Sequence, residues 1–361
     1  MKYLFVITGI GLGHTIREDA IIKELLKLDK DAEIRIASYG NTLKYFAKKF
    51  PLTEIIGQKF PDVTSKIESF KVIASNLTYP YYYLQNIKKL KRLIKNFQPD
   101  VVIVDAQPEG IVAAKSMKVK SIFIYNLDLN ELLFEKKFRL DMFIHKKAIE
   151  YCHKNADKVI IPILTQKTKV EDNINYINPI VRETPGRLPI EIALTQKFNF
   201  KKHPVLLTIG GSKFGLNLVR NIINASNYFD EDFIVFGVDL KIKKANVTCL
   251  PFQKNFLEYL KVAKAIITLA GHSTLSEILH YKKPALVFPI PNYIEQYQNA
   301  HLMQNYSLIG DMEELSLVYT RNILEKFFKN LEKLEHRLKE LNIHKNGAEE
   351  AAKIILQEAS K

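Results

Sequence analysis

Cysteine is nearly absent: Cys152 and Cys249 stand far apart, with no CxxC spacing. That excludes a disulfide framework and a thiolate metal site, and leaves both as buried bystander thiols. No apolar run approaches the roughly 18 to 20 residues that a membrane span requires. The apolar start after Met1-Lys2 imitates a leader peptide, yet it runs into Gly11-Leu12-Gly13-His14 and a charged helix instead of a small-residue cleavage site. A first strand fits it better, and the expected location is the cytoplasm, including peripheral attachment to the inner face of the cell membrane. Solenoid-length repeats and low-complexity tracts are missing too. Acidic residues are the minority, 39 against 53 lysines and arginines, and the net charge of +14 favours phosphate groups, an anionic membrane surface or nucleic acid as partners.

What is present is enough apolar residue, 47% of 361, for two cores of ordinary size. Short β-rich runs alternate with amphipathic stretches, the pattern of parallel α/β architecture. Strands are predicted over 3–8, 33–38, 101–105, 121–125 and 158–161, with helices over 15–28 and 142–154 among them. Turn-forming residues then collect, from Asn178-Pro179 to His203-Pro204. The alternation restarts with strands over 205–209, 233–236, 247–250, 265–269 and 285–288. The domains expected are 1–180, a linker over 181–203, 204–345, and a last helix over 346–361 that packs back across the linker.

The first strand ends in Gly9-Ile10-Gly11-Leu12-Gly13-His14. A dinucleotide fingerprint would need a third glycine where His14 stands and an acidic residue after the second strand, which ends in Ala37-Ser38-Tyr39. NAD and FAD are therefore not expected. Glycines let another molecule approach the backbone, and a histidine held there can take a proton from a hydroxyl near neutral pH. The competing reading makes His14 a helix cap. Arg17, one turn on, either reaches an anionic group or is a solvated first-turn residue.

The second half repeats the strand-to-helix turn twice. Gly210-Gly211-Ser212 follows one strand, and free amides there suit a phosphate, with Ser212 donating from its hydroxyl. Gly271-His272-Ser273-Thr274 follows another, where helix amides and the positive dipole end suit a diphosphate. Glu277 shares a helix face with Ser273 and can accept the hydroxyls of a ribose; a capping box predicts the same residues. Glu295-Gln296 and Asn299 open a further helix on a second rim. The acidic triplet Asp230-Glu231-Asp232 reads as a solvated surface turn. Residues 77–97 place tyrosines beside a lysine-rich amphipathic helix, which suits an anionic bilayer surface or an ordinary surface helix. No pattern of a nucleic-acid-binding fold supports RNA or DNA as partner.

Taken in order, Gly11-x-Gly13-His14, Gly210-Gly211-Ser212, Ser273-Thr274-x-x-Glu277 and Glu295-Gln296-x-x-Asn299-Ala300 span nearly the whole chain and resemble the GT-B glycosyltransferases of family 28, the lipid II N-acetylglucosaminyltransferases being the nearest type. The resemblance implies two doubly wound, Rossmann-like α/β domains facing a cleft. It implies an inverting transfer of a hexosyl group, N-acetylglucosamine or a relative, from a UDP-sugar to a lipid-linked or cell-envelope acceptor, without cofactor or metal. By the same resemblance His14 is the general base, and Gly11 and Gly13 border donor and acceptor. Arg182, in an Asn-Pro-Val-Arg element with one inserted residue, approaches the nucleotide. Gly211 and Ser212 touch the diphosphate, the backbone near Phe252 and Gln253 frames the uracil, and Gly271, His272, Ser273 and Thr274 line diphosphate and sugar. Glu277 binds the ribose and Gln296 the transferred sugar. The chain departs from the family at His272, where a small residue is usual, and at Arg17, where proline is usual; the asparagine expected after the fifth strand is Asn126 or Asp128. Gly13-His14-x-x-Arg17 also resembles the turn of GT-B nucleotide-sugar hydrolases, so a hydrolase or epimerase is the alternative.

Overall fold

Odd and even positions of the first strand are equally apolar, which is the mark of a strand covered on both faces. The computed structural model, which describes residues 1–59, 69–127, 140–165, 173–210, 213–238, 244–343 and 345–361, has that arrangement. Tyr3, Phe5 and Ile7 point into one core and Leu4 and Val6 into another, all at zero exposure. Among the described residues this first sheet has seven strands: β1 (Lys2–Ile7), β2 (Glu33–Ser38), β3 (Leu52–Glu54), β4 (Val101–Asp105), β5 (Lys120–Ile124), β6 (Lys158–Pro162) and β7 (Ile174–Ile177). They lie in the order β3-β2-β1-β4-β5-β6-β7, every pair parallel.

The second sheet, again counted among the described residues, has six: β8 (Val205–Thr208), β9 (Phe233–Phe236), β10 (Val247–Leu250), β11 (Ala265–Leu269), β12 (Ala285–Phe288) and β13 (Ser307–Ile309). Their order is β10-β9-β8-β11-β12-β13, also parallel throughout. Helices lie in most of the connections within both sheets, as parallel crossovers require. The sequence misses β3, β7 and β13, each three or four residues long, because so short a run carries no readable period.

The described residues through Arg182, with Lys345–Lys361, form one compact unit, and those between Glu183 and Ile343 form the other. The region read as irregular holds a helix, Glu191–Phe198, within the second unit, where Phe198 stacks on Tyr259 with ring centroids 4.0 Å apart. Helix Gly347–Ala359 belongs to the first unit. Its Ala348, Ala351, Ala352 and Ile355 are fully buried in the same core as β1. Asn346 caps that helix by accepting from the Ala348 amide, while its side chain also bonds both backbone groups of Val181. Gly347 lies so close to the Asn178 carbonyl that a Cβ there would sit 1.9 Å from the oxygen, so the close approach needs glycine. One expectation on cysteine is corrected: Cys152 is buried, but Cys249, on edge strand β10, is only half-buried.

Candidate functional site

β1 and β4 are neighbours from which the chain departs in opposite directions, β1 toward β2 and β3, β4 toward β5, β6 and β7. Crossovers that diverge in this way leave a crevice beyond the carboxyl ends of the two strands, the usual ligand position in an open parallel sheet. Ile7 pairs in register with Asp105, so the glycine turn after β1 meets the last residue of β4. Gly11 adopts φ +68° with nothing within 4 Å of the place a Cβ would take; the turn needs glycine and is open on that side. Helix Gly13–Leu28 begins at once and sets Arg17 and Glu18 one turn after His14.

His14 Nδ1 lies 2.8 Å from Asp105 Oδ1. Arg17 donates from Nε to Asp105 Oδ2 at 3.1 Å and from Nη2 to Oδ1 at 2.5 Å, and Nη2 is also 2.9 Å from His14 Nδ1. Asp105 is fully buried, while the His14 side chain is 20% exposed; the ring links a buried carboxylate to the outside. Burial pushes the Asp105 carboxyl up, but the charges of Arg17 and His14 and their hydrogen bonds outweigh it and hold the group well below the usual carboxylate range. The charge-assisted Nδ1–H···Oδ1 bond is the strong one available to the ring. With Nδ1–H given to Asp105, the neutral ring presents its lone pair at Nε2, as a base must.

Two of the bland readings fail here. The residue flanking the helix is Leu12, with no side-chain capping bond, so His14 does not cap it. Arg17 is 5% exposed, so it is no solvated surface residue; its guanidinium holds Asp105. Asp105 itself was missed, although an apolar run ending in a carboxylate, Val101-Val102-Ile103-Val104-Asp105, was visible. Only the strand order makes it the partner of His14. Glu18 was missed as well. It is wholly buried, neither oxygen accepts a hydrogen bond among the described residues, and Arg17 Nε is 3.8 Å away. Burial first and the neighbouring Asp105 charge second raise its carboxyl well above the usual range.

Asn126 is buried after β5, next to β4. Asp128 lies outside the described residues. Arg182 ends the first unit, half-buried, with its charge acting on the Tyr45 phenol of the same unit.

The second sheet reverses its order between β8 and β11, which pair with Thr208 opposite Thr268. Gly210 follows β8; Gly211 and Ser212 lie outside the described residues. Gly271 flanks helix His272–Tyr281, with no side-chain capping bond, so Thr274 and Glu277 form no capping box. Ser273 and Thr274 are half-buried in the first turn, at the positive end of the helix dipole. Glu277 is 4% exposed. His272 packs inward, 3.4 Å from the Ser276 hydroxyl, which donates to the His272 carbonyl at 3.0 Å. From helix Ile294–Met303, Asn299 donates to the Ala270 carbonyl at 3.0 Å, and Gln296 accepts the Ile290 amide at 3.0 Å. The first of these bonds fastens the second rim to Ala270, the residue just before Gly271. Phe252, exposed, and Gln253, half-buried, follow β10 at the sheet edge, two strands from β8.

Elsewhere, Asp230 pairs with Lys202 and Glu231 with Lys264, as a surface turn would. Helix Tyr79–Phe97 turns Asn86, Leu90, Ile94 and Phe97 inward and leaves Lys88, Lys89, Arg92 and Lys95 exposed, with Tyr81, Leu84 and the preceding Leu77. No helix among the described residues is long and apolar enough to cross a membrane.

The model of glycosyl transferase family 1 matches residues 1–332. The chain belongs to that family. This glycosyltransferase is 26% identical, over 96% of its length and 98% of the other's, to an uncharacterized glycosyltransferase of Methanopyrus kandleri. It is 25% identical, over 99% and 97%, to the UDP-N-acetylglucosamine--N-acetylmuramyl-(pentapeptide) pyrophosphoryl-undecaprenol N-acetylglucosamine transferase of Thermosipho africanus. In fold it resembles the crystal structure of Acinetobacter baumannii MurG, with TM-score 0.67 and 15% identity over 99% of this chain and all of that one. The glycosyltransferase thus has GT-B architecture, as its two parallel sheets require.

Proposed function

We propose that this glycosyltransferase moves a hexosyl group, N-acetylglucosamine or a close relative, from a UDP-sugar to a hydroxyl of a lipid-linked or cell-envelope glycan acceptor. The observation that carries the reading is the pair His14–Asp105 beyond the carboxyl ends of β1 and β4, with the Asp105 carboxylate on Nδ1 and the ring partly exposed. His14 takes the proton from the acceptor hydroxyl, the oxygen attacks the anomeric carbon from the face opposite the diphosphate, and the bond from that carbon to the diphosphate oxygen breaks. The product is inverted and UDP leaves. The second unit holds the donor: Glu277 the ribose, Gln296 the sugar, and Gly211, Ser212, Ser273 and Thr274 the diphosphate. The positive ends of the helices and Arg182 balance the departing charge, so no metal is required. Support for UDP-N-acetylglucosamine and for a polyprenyl-linked acceptor comes from the name of the Thermosipho africanus relative. The exposed lysines and apolar residues of 77–97 suit the surface where such an acceptor resides.

Radiolabelled UDP-sugars, with and without a polyprenyl-linked acceptor, test the reading. Acceptor-dependent transfer that persists in EDTA is expected; sugar released at the same rate without acceptor overturns it in favour of hydrolysis. His14→Ala is expected to lower kcat/KM by about 10² to 10⁴ while leaving the Kd for UDP unchanged in calorimetry.

A further inference from the structure

A carboxyl group buried beside a carboxylate is stable only if one of the two keeps its proton. In the first unit Asp105 has three donors around it, Arg17 Nε, Arg17 Nη2 and His14 Nδ1. Glu18, fully buried on the same helix, accepts from none of the described residues. The charged groups that act on it are Asp105, from β4, and Arg17, from its own helix. One guanidinium balances one carboxylate, and a second buried negative charge has no counterpart there. We propose that Glu18 is a positioning residue: it stays a neutral acid, donates its O–H to the Asp105 carboxylate, and so limits how strongly Asp105 draws on the His14 ring. The hydrogen stays on Glu18 throughout, and no proton is transferred. Burial and the Asp105 charge favour that form, as the raised carboxyl range of Glu18 reflects. The function given to Glu18 rests on the reading of His14 as the base, but its test does not.

The whole protein, with histidine labelled at ring carbon, is titrated by NMR, His14→Ala assigning the signal. Glu18→Gln, uncharged and still a donor, is expected to leave the His14 midpoint where it is. Glu18→Leu removes the donor, makes Asp105 the stronger acceptor, stabilises the imidazolium, and is expected to raise the midpoint by about half to one pH unit. If Glu18 were ionised, Glu18→Gln would lower the midpoint, and the proposal would be wrong. An unmoved midpoint in Glu18→Leu overturns it too. Should Glu18→Leu not fold, the infrared difference between the wild type and Glu18→Gln decides: at pH 7 a protonated carboxylic acid band is expected in the wild type, and its absence overturns the proposal. Loss or survival of transfer in His14→Ala changes none of these readouts.

Discussion

Each sheet reverses its strand order once, and the two reversal points are furnished differently. Beyond β1 and β4 stand four ionisable side chains: Arg17, Glu18 and Asp105 are almost wholly buried, and His14, Arg17 and Asp105 are joined by short hydrogen bonds. Beyond β8 and β11 stand Gly210 and Gly271, the hydroxyls of Ser273 and Thr274 and a helix start, with Glu277 and Gln296 buried on the helices that follow β11 and β12. The residues at the two reversal points thus differ in kind. Side chains that share protons must be fixed to a fraction of an ångström by one another, whereas a diphosphate is held by many backbone dipoles at once. The first crevice should be fragile to single substitutions and the second forgiving.

Asp105→Ala is the harshest way to examine that contrast. It leaves the Arg17 guanidinium buried without its counter-charge, which costs about 3 to 5 kcal/mol of stability, and it removes the bond that orients His14. Urea denaturation and transfer assays should both register the loss. A variant with unchanged stability would mean that the guanidinium finds another partner and that the first crevice is less interdependent than its distances imply.

pH separates the two carboxyls of the first crevice. Asp105, lowered in the native state, contributes stability above the ordinary carboxylate range that is lost as pH falls below about 4. Glu18, raised, works in the opposite direction: the native state keeps a proton that the unfolded chain releases. Stability then declines with rising pH from about 4.3 up to the native value, by about 1.4 kcal/mol per pH unit over that window. Glu18→Gln abolishes that decline. Thermal melts at pH 4 should match between variant and wild type, and at pH 7 the variant should be the more stable; equal melts at both would show Glu18 ionised in the fold.

Much of this was readable in the residues, and the limits are physical. The glycine turn and the central strands announce themselves because five consecutive apolar residues followed by glycine leave few alternatives. His14 was singled out for its place at that turn. Asp105 and Glu18 were not, because their meaning depends on contacts 88 or more residues apart or on burial that a helical carboxylate does not reveal. Arg17 was left between two readings, since its partner lies on β4. In the second unit the helix start after Gly271 was legible, because a strand, a glycine and a helix are written locally.

Within the second crevice, Glu277→Ala should weaken UDP binding about 10- to 100-fold, the worth of hydrogen bonds to a charged group, with little change in thermal stability. An unaltered Kd would remove Glu277 from the ribose.

Ser273→Ala should do least of all. Its side chain is half-buried in the first turn of helix His272–Tyr281, which Gly271 flanks without a side-chain bond. If the backbone amides of that turn hold the diphosphate, removing one neutral hydroxyl costs a single hydrogen bond, about 0.5 to 1.5 kcal/mol, or roughly a two- to tenfold rise in the Kd for UDP. A loss of a hundredfold or more would show that side chains, not backbone, grip the diphosphate. The second crevice would then be as dependent on single residues as the first.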